Sequence, residues 1–447
     1  MRIFIDCSLV DFSRPATGIP RVVLKYIEEG YRWSVQTGIE VIPVNITSLG
    51  LVPLPSLPGN SPPEYLSKYY NSLFECVENF DKDDKAKNIA LAEHYLRSAL
   101  ISVGVFHPIE RCSMAVRRIF QELLADGESI SSHIPVEQDD LLFCPAYWHD
   151  IPPKYYKNIK RMGANIVTLV HDILPIAYSK FYEAPWKFDF ERNLKEALKY
   201  ADSICTVSEY TAKSILEFSA RRSIELKDVR VVYNGFDELL SGRVQDHINE
   251  EEFTAVLGKH EELEFIKLHN PYLMVGTLEP KKGHIPTIKS FEAMWRAGLE
   301  RPLVVVGRKG WMEKNVVSCI EDSDYFGSKL FWFDYFDDLD LYLSYKYSRA
   351  LIFSSYAEGF GIPMIEALSA GRPVVSYATD ISREILGNYG LFFTDLAELV
   401  EVIYDLEQEE SYSRVCSKLK DFSWPSWKNV VTDLFNSFAG KPNLHLA

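Results

Sequence analysis

Short apolar runs separated by amphipathic stretches recur along this chain, and they fall into two similar series. Arg2-Ile-Phe-Ile-Asp6 has the pattern of a buried strand. After a loop around Gly18, Val22, Val23, Tyr26 and Ile27 fall on one face of a helix. Further strand-like runs follow at 40–45, 140–144, 165–170, 203–207 and 229–233, with the turn pair Asn234-Gly235 ending the last. A second series begins at Tyr272-Leu-Met-Val-Gly276 and continues through 302–307, 350–353 and 373–376. Strands alternating with helices predict an α/β chain built on a doubly wound parallel sheet, here twice. Such sheets bind ligands beyond the carboxyl ends of their strands. Two of them facing each other would place the ligand in the cleft between. Residues 50–65 carry Pro53, Pro55, Pro58, Pro62 and Pro63 and are expected to lack regular structure. The stretch from there to about 135 reads as a helical insertion, and 235–268 as a charged, irregular linker. The expected layout is a first domain over 1–240 with its insertion at about 50–135, a second over 268–425, and a closing helix in 426–447 that packs back on the first domain.

The second series contains the most informative stretch, Ser354-Ser-Tyr-Ala-Glu358-Gly359-Phe360-Gly361-Ile362-Pro363-Met-Ile-Glu366-Ala-Leu-Ser-Ala-Gly371. Pro363 suits the first turn of a helix, where its missing N–H has no partner to lose. Gly371 suits the left-handed position just past the helix end. A strand, a glycine loop and a helix start together leave backbone N–H groups pointing at whatever lies beyond the loop, and such an end attracts anions. Glu358 and Glu366 both border that place. Two carboxylates beside a phosphate are costly unless hydroxyls or cations balance them. The pair therefore points to a phosphorylated ligand that also carries hydroxyls.

Composition narrows the reading. A formal net charge of -15 argues against bulk nucleic-acid binding, and no nucleic-acid partner is expected. Lys154, Lys157, Lys160 and Arg161, interleaved with Tyr155 and Tyr156, form the best local basic patch. It is read as a solvated helix face, with contact to an anionic inner-membrane surface as the alternative. The seven cysteines are scattered and never spaced as Cys-x-x-Cys, the usage of a reducing, cytoplasmic compartment. No signal segment is read at Met1, and no run of about 18 apolar residues suggests a membrane span.

The remaining candidates lie at strand ends. Lys281 and Lys282 follow the first strand of the second series, and Arg308 and Lys309 follow the next, which together predict a cationic cleft. His171 ends a strand of the first domain. Asp-x-Asp occurs at Asp81/Asp83, Asp322/Asp324 and Asp338/Asp340, none after a convincing strand and turn, and no essential metal or other cofactor is expected.

Taken together these pieces resemble the family 4 retaining glycosyltransferases of GT-B fold, along nearly the whole chain. Glu358 to Glu366 matches that family's Glu-x7-Glu motif. Thr17-Gly-Ile-Pro-Arg21, His171-Asp-Ile-Leu-Pro175, the stretch Ala201 to Ser208, Asn234-Gly-Phe-Asp237, Gly276-Thr-Leu-Glu-Pro-Lys-Lys282, Gly307-Arg-Lys-Gly-Trp311 and Phe422-Ser-Trp424 are similar to its other conserved stretches. The flavour is that of bacterial mannosyltransferases of O-antigen, capsule or exopolysaccharide synthesis. The resemblance implies two Rossmann-like domains, the second holding a nucleotide sugar and the first facing the acceptor. It implies that Glu366 binds the ribose, Glu358 the donor hexose, the backbone N–H groups of Phe360, Gly361 and Ile362 the diphosphate, and Lys282 the leaving phosphate. Thr277 stands where many members carry a cation, so Lys281 or Arg308 would supply it. Gly18 would let the first-domain loop approach the donor, and His171 would bond the transferred sugar near the reacting carbon.

The implied activity is metal-independent hexosyl transfer with retention, from GDP-mannose by preference or from a UDP- or dTDP-sugar, to a glycan or lipid-linked glycan. A pyridoxal-dependent phosphorolysis on the same fold and a silent, nucleotide-sugar-binding assembly partner stand as alternatives.

Overall fold

The computed structural model describes residues 1–8, 10, 18–46, 50–54, 134–146, 151, 153–182, 184–236, 261–334 and 336–441. Most of the insertion, Pro15-Ala16-Thr17, Cys76, Cys112 and most of the 235–268 stretch lie outside them.

Two α/β sheets organise these residues. The first has the order β3-β2-β1-β4-β5-β6-β7, with β1 at Ile3–Asp6, β2 at Val41–Ile46, β3 at Leu51–Pro53, β4 at Leu141–Cys144, β5 at Asn165–Val170, β6 at Ser203–Thr206 and β7 at Val229–Val231. All its pairings are parallel except β2 with β3. The second runs β10-β9-β8-β11-β12-β13, with β8 at Tyr272–Val275, β9 at Leu303–Val306, β10 at Leu330–Phe333, β11 at Ala350–Phe353, β12 at Val374–Tyr377 and β13 at Gly390–Phe393, all parallel. Strand order reverses between β1 and β4 in one sheet and between β8 and β11 in the other. These are the switch points where loops diverge and leave a crevice. This is the GT-B architecture.

Apolar runs became strands because both faces of a parallel sheet are covered by helices, so Ile3, Phe4 and Ile5 are buried together, as are Leu303, Val304 and Val305. Helix α1 (Ile19–Thr37) buries Val22, Val23, Tyr26 and Ile27 as its spacing predicts. Three strands escaped the pattern. β3 contains Pro53 inside the span read as irregular, which an antiparallel edge tolerates because no neighbour needs its outer N–H. β10 and β13 are short edge strands with half-buried aromatic residues. The linker reading is also corrected, because Glu261–His269 is helical, with acidic residues in its first turn and Lys267 and His269 in its last.

The basic patch needs a correction too. Helix α2 (Pro153–Arg161) turns Tyr155 and Tyr156 into the core, and Lys160 is paired with Asp202 at 2.6 Å. Lys154, Lys157 and Arg161 remain exposed. No described helix is long and apolar enough to cross a membrane.

The chain returns to its first domain at the end. Trp424 donates from Nε1 to the Asn234 carbonyl at 2.8 Å, and Phe236 N bonds the Pro425 carbonyl at 2.9 Å. The last helix, Trp427–Phe438, then lies on α1, where Trp33 Nε1 donates to Asn436 at 2.9 Å and Phe435 covers Gly30.

At the amino-terminal ends of the central strands β1 and β4, Asp140 accepts from Arg2 N at 2.9 Å and Glu137 N at 2.8 Å and also pairs with the Arg2 guanidinium. Burial raises its carboxyl, but these bonds outweigh that and hold it below the usual range. Its contribution is therefore complete above the unfolded-chain value and is lost as pH falls through the lower folded value. Asp140→Asn is expected to cost about 1–3 kcal/mol at pH 7 and distinctly less near pH 3, read by urea unfolding at the two pH values.

Candidate functional site

The crevice of the second sheet is built from the loops that leave β8 and β11. After β8, Gly276 (φ 144°) and Thr277 lead into a single 3-10 turn, Pro280–Lys282, which Gly283 (φ 70°) closes before helix His284–Arg296 starts. Gly283 is obligatory, since a Cβ there would overlap the Ser354 carbonyl at the end of β11. That close approach puts the lysine turn against the Glu358 loop. Tyr356 N bonds the Lys281 carbonyl at 2.8 Å, and Ser354 Oγ donates to the Lys282 carbonyl at 3.0 Å.

Three expected site residues consequently meet. Lys282 Nζ is 2.6 Å from Glu358 Oε1, and Lys281 Nζ is 3.4 Å from Glu358 Oε2. Lys281 also lies 3.6 Å from Glu279 Oε2. Burial alone would raise the Glu358 carboxyl, but the two ammonium groups overcome it and bring the value to about 2. Burial works against the Lys281 charge, and Glu358 and Glu279 more than compensate, so its ammonium is held more tightly than usual. Lys281, buried and shared between carboxylates, is anchored. Lys282 is the more accessible of the two, with its ammonium over the Phe353 ring and beside the Gly276 backbone. Thr277 brings no charge, and the Arg308 backbone carbonyl accepts from Leu278 N at 2.8 Å while its side chain is half-buried.

Beyond Glu358 the loop is set by glycines. Gly361 (φ 95°) caps helix Ile362–Ser369 and, as a glycine, offers its first N–H groups no side-chain acceptor. Pro363 stands in the first turn and Gly371 (φ 71°) follows the end, as the sequence predicts. Phe360 packs between Tyr233 and Trp424 and pins the loop to the first domain's last strand. Gly359 is pressed against the first domain so closely that a Cβ would overlap the His171 carbonyl, and its own carbonyl accepts from Ser208 Oγ at 2.8 Å. Ser208 is also the cap of helix Glu209–Ala220, whose next two N–H groups bond Glu384 of the second domain at 2.7 and 2.8 Å.

His171 stands at the end of β5, with Nε2 2.7 Å from the Pro145 carbonyl. A carbonyl only accepts, so that nitrogen carries the proton.

Glu366 departs from the simple picture of two carboxylates flanking one anion. Its Oε1 is 2.6 Å from Arg21 Nη1 across the cleft, and its Oε2 accepts from Tyr345 at 2.9 Å. Arg21, Ile362, Glu366, Phe236 and Trp427 line a small cavity there. Each carboxylate oxygen has two lone pairs, so room for ligand hydroxyls remains. Gly18 has φ 59° at the start of α1, and a Cβ on it would meet none of the described residues within 4 Å, so its backbone conformation itself favours glycine.

The sequence reading missed several residues. Arg21 and Ser208 are visible in the sequence only as parts of motifs, and Gly359 only as part of a glycine turn. Trp311, whose Nε1 donates to the Phe181 carbonyl at 3.0 Å and whose ring stacks on Tyr182 at 5.6 Å, clasps the two domains over Lys281. Asp338 and Asp340 do follow a strand, β10, contrary to expectation, and open helix Asp338–Tyr347, where Asp338 lies 3.7 Å from Arg21 Nε. No cluster of three His, Cys, Asp or Glu among the described residues forms a metal site.

Comparison with known proteins bears on this geometry. Residues 259–420 match the family model of glycosyl transferases group 1. Over 334 residues the chain is 29% identical to the serotype-specific mannosyltransferase WbdA of Escherichia coli, covering 70% of this chain and 40% of that protein. It is 25% identical over 288 residues to the O-antigen chain mannosyltransferase B of Escherichia coli, covering 61% and 69%. The chain thus spans about 40% of the length of the first of these curated relatives. Among solved structures, Anabaena Alr3699/HepE in complex with UDP and glucose shares the fold, with a TM-score of 0.54, 14% identity, and 98% and 99% of the two chains covered.

Proposed function

We propose that this chain, whose residues 259–420 form a glycosyl transferases group 1 domain, moves a hexose from a nucleotide sugar to a glycan or lipid-linked glycan in surface-polysaccharide synthesis. Mannose is the sugar that the two Escherichia coli mannosyltransferases favour, and GDP-mannose is the donor proposed to carry it. The observation that carries the proposal is the meeting of Lys282 and Glu358 at the switch point of the second sheet, beside the uncapped start of helix Ile362–Ser369.

Breaking the bond between a sugar and a nucleoside diphosphate builds negative charge on the leaving phosphate and positive charge on the sugar ring. Groups fixed in advance where charge develops lower that barrier most. The open helix start and Lys282 suit the phosphate, with Lys282 exchanging Glu358 for an oxygen of the leaving group. Glu358 then faces the sugar, held ionised by Lys281. His171 bonds the hexose from the opposite domain. Glu366, oriented by Arg21 and Tyr345, takes the ribose hydroxyls. Same-face attack, in which the departing phosphate accepts the acceptor's proton, gives retention without a metal.

The test is a radiolabelled transfer assay with GDP-mannose, UDP-glucose and dTDP-glucose as donors and extracted lipid-linked glycans as acceptors. Lys282→Ala is expected to lower turnover on the order of 10²-fold, and Glu366→Ala to raise the donor KM with a smaller change in turnover. Donor binding without transfer or hydrolysis would instead favour a silent binding partner, and unchanged activity in both variants would overturn the site.

A further inference from the structure

Glu279 is the buried charged group that this mechanism leaves unused. Its side chain is 5% exposed, and Oε2 has no hydrogen-bond partner among the described residues although Lys281 Nζ lies 3.6 Å away. Gly310 packs on its Cγ so closely that a Cβ on that glycine would come within 2.8 Å. With Glu358, Lys281 and Lys282 it forms a cluster of two carboxylates and two ammonium groups, which is neutral when all four are charged. A diphosphate arriving at Lys282 adds negative charge to a cluster already balanced. Water cannot screen the excess in a buried place, so the least stable charge should yield.

We infer that Glu279 is a positioning residue that takes up a proton when the diphosphate of a nucleotide sugar reaches Lys282, so that donor binding is coupled to its neutralisation. This rests on the donor-site reading above. While ionised, Glu279 shares Lys281 with Glu358 and keeps the cluster neutral. Once protonated, it leaves Lys281 to Glu358 alone and a net positive charge for the phosphates. The other groups packed around it do not substitute. Burial pushes the Tyr182 phenol upward, and Asp172, Glu279 and Glu358 add to that rise. Burial lowers the His284 imidazole to about 3, aided by the Lys282 charge, so His284 is neutral. Trp311 carries no charge, and Asp172, whose Oδ1 accepts from Leu174 N at 2.9 Å, adds its charge to those holding the Lys281 ammonium. Burial raises the Glu279 carboxyl itself to about 7, with the two lysines opposing and Glu358 adding to the rise.

The sign follows from linkage. A group whose affinity for protons rises on ligand binding makes that binding tighter at low pH. Isothermal titration calorimetry with GDP-mannose, UDP-glucose and dTDP-glucose, in buffers of different ionisation enthalpy, counts the protons taken up. Both phosphates of these probes are esterified and stay ionised, so the ligand contributes none. The wild-type protein is expected to take up a fraction of a proton at pH 7.5 and to lose on the order of tenfold in affinity between pH 6.5 and 8.5. Glu279→Gln, a permanent mimic of the protonated acid, is expected to lack that uptake and to bind at pH 8.5 at least as tightly as wild type. Equal uptake in both proteins, binding weakened by Glu279→Gln at every pH, or no uptake by the wild type would each overturn the inference. Absence of binding by the wild type to all three probes would instead overturn the donor-site reading beneath it.

Discussion

Replacing Gly359 with alanine is expected to abolish most sugar transfer while leaving nucleoside diphosphate binding nearly intact. The new Cβ would overlap the carbonyl of His171 and come within 2.9 Å of Asp172 Cβ. The carbonyl is backbone at the end of β5 and cannot swing aside as a flexible side chain could. The Glu358 loop must therefore back away from the first domain and give up the 2.8 Å bond from Ser208. A displacement near 1 Å between groups that must act together is enough to cost about 10²-fold in rate. The lysine turn, the Gly361 cap and Glu366 all belong to the second domain, so a nucleoside diphosphate should still bind there. Thermal shift with GDP and UDP reads that binding, and the radiolabelled assay reads transfer. Wild-type transfer by the alanine variant would show that the contact between the domains at Gly359 is dispensable.

The second large effect is on stability and activity at once. Glu358→Ala removes the carboxylate shared by Lys281 and Lys282, whose side chains are 9% and 15% exposed. Breaking a buried pair from one side leaves uncompensated charge and costs about 3–5 kcal/mol. Replacing both partners of the 2.6 Å pair with apolar groups of similar volume is far milder, so Glu358→Met combined with Lys282→Met, which leaves Lys281 beside Glu279, should recover most of the melting temperature. Sugar transfer should not return with it, because neither methionine can face a developing positive charge. A fully active double variant would remove Glu358 from the mechanism. Since the Glu358 value of about 2 lies below that of an unfolded chain, its contribution to stability is whole above pH 4.5 and fades as pH falls toward 2.

The legible parts of the molecule were those fixed by local chemistry. Apolar runs at 165–170 and 203–207 could only be buried strands, and Pro363 with Gly371 could only bracket a helix. What escaped depended on neighbours. β13 is a few residues at a sheet edge, and Leu330–Phe333 owes its strand to pairing with β9 rather than to its own alternation. Asp338 and Asp340 follow this strand, which no local pattern in the sequence marks.

By itself the sequence determined that this protein has two doubly wound α/β halves, that the Glu358-to-Glu366 stretch forms a strand, glycine loop and helix start, and that Lys281 and Lys282 end a strand. Those follow from side-chain period and backbone preference, which act within a few residues. Only the tertiary structure decided that Glu366 reaches across to Arg21, that Lys281 is locked between two carboxylates while Lys282 is not, and that Gly359 is held against His171. Each of those depends on residues tens to hundreds of positions apart, and the partners of a buried charge are chosen by whatever the fold brings within a few ångströms.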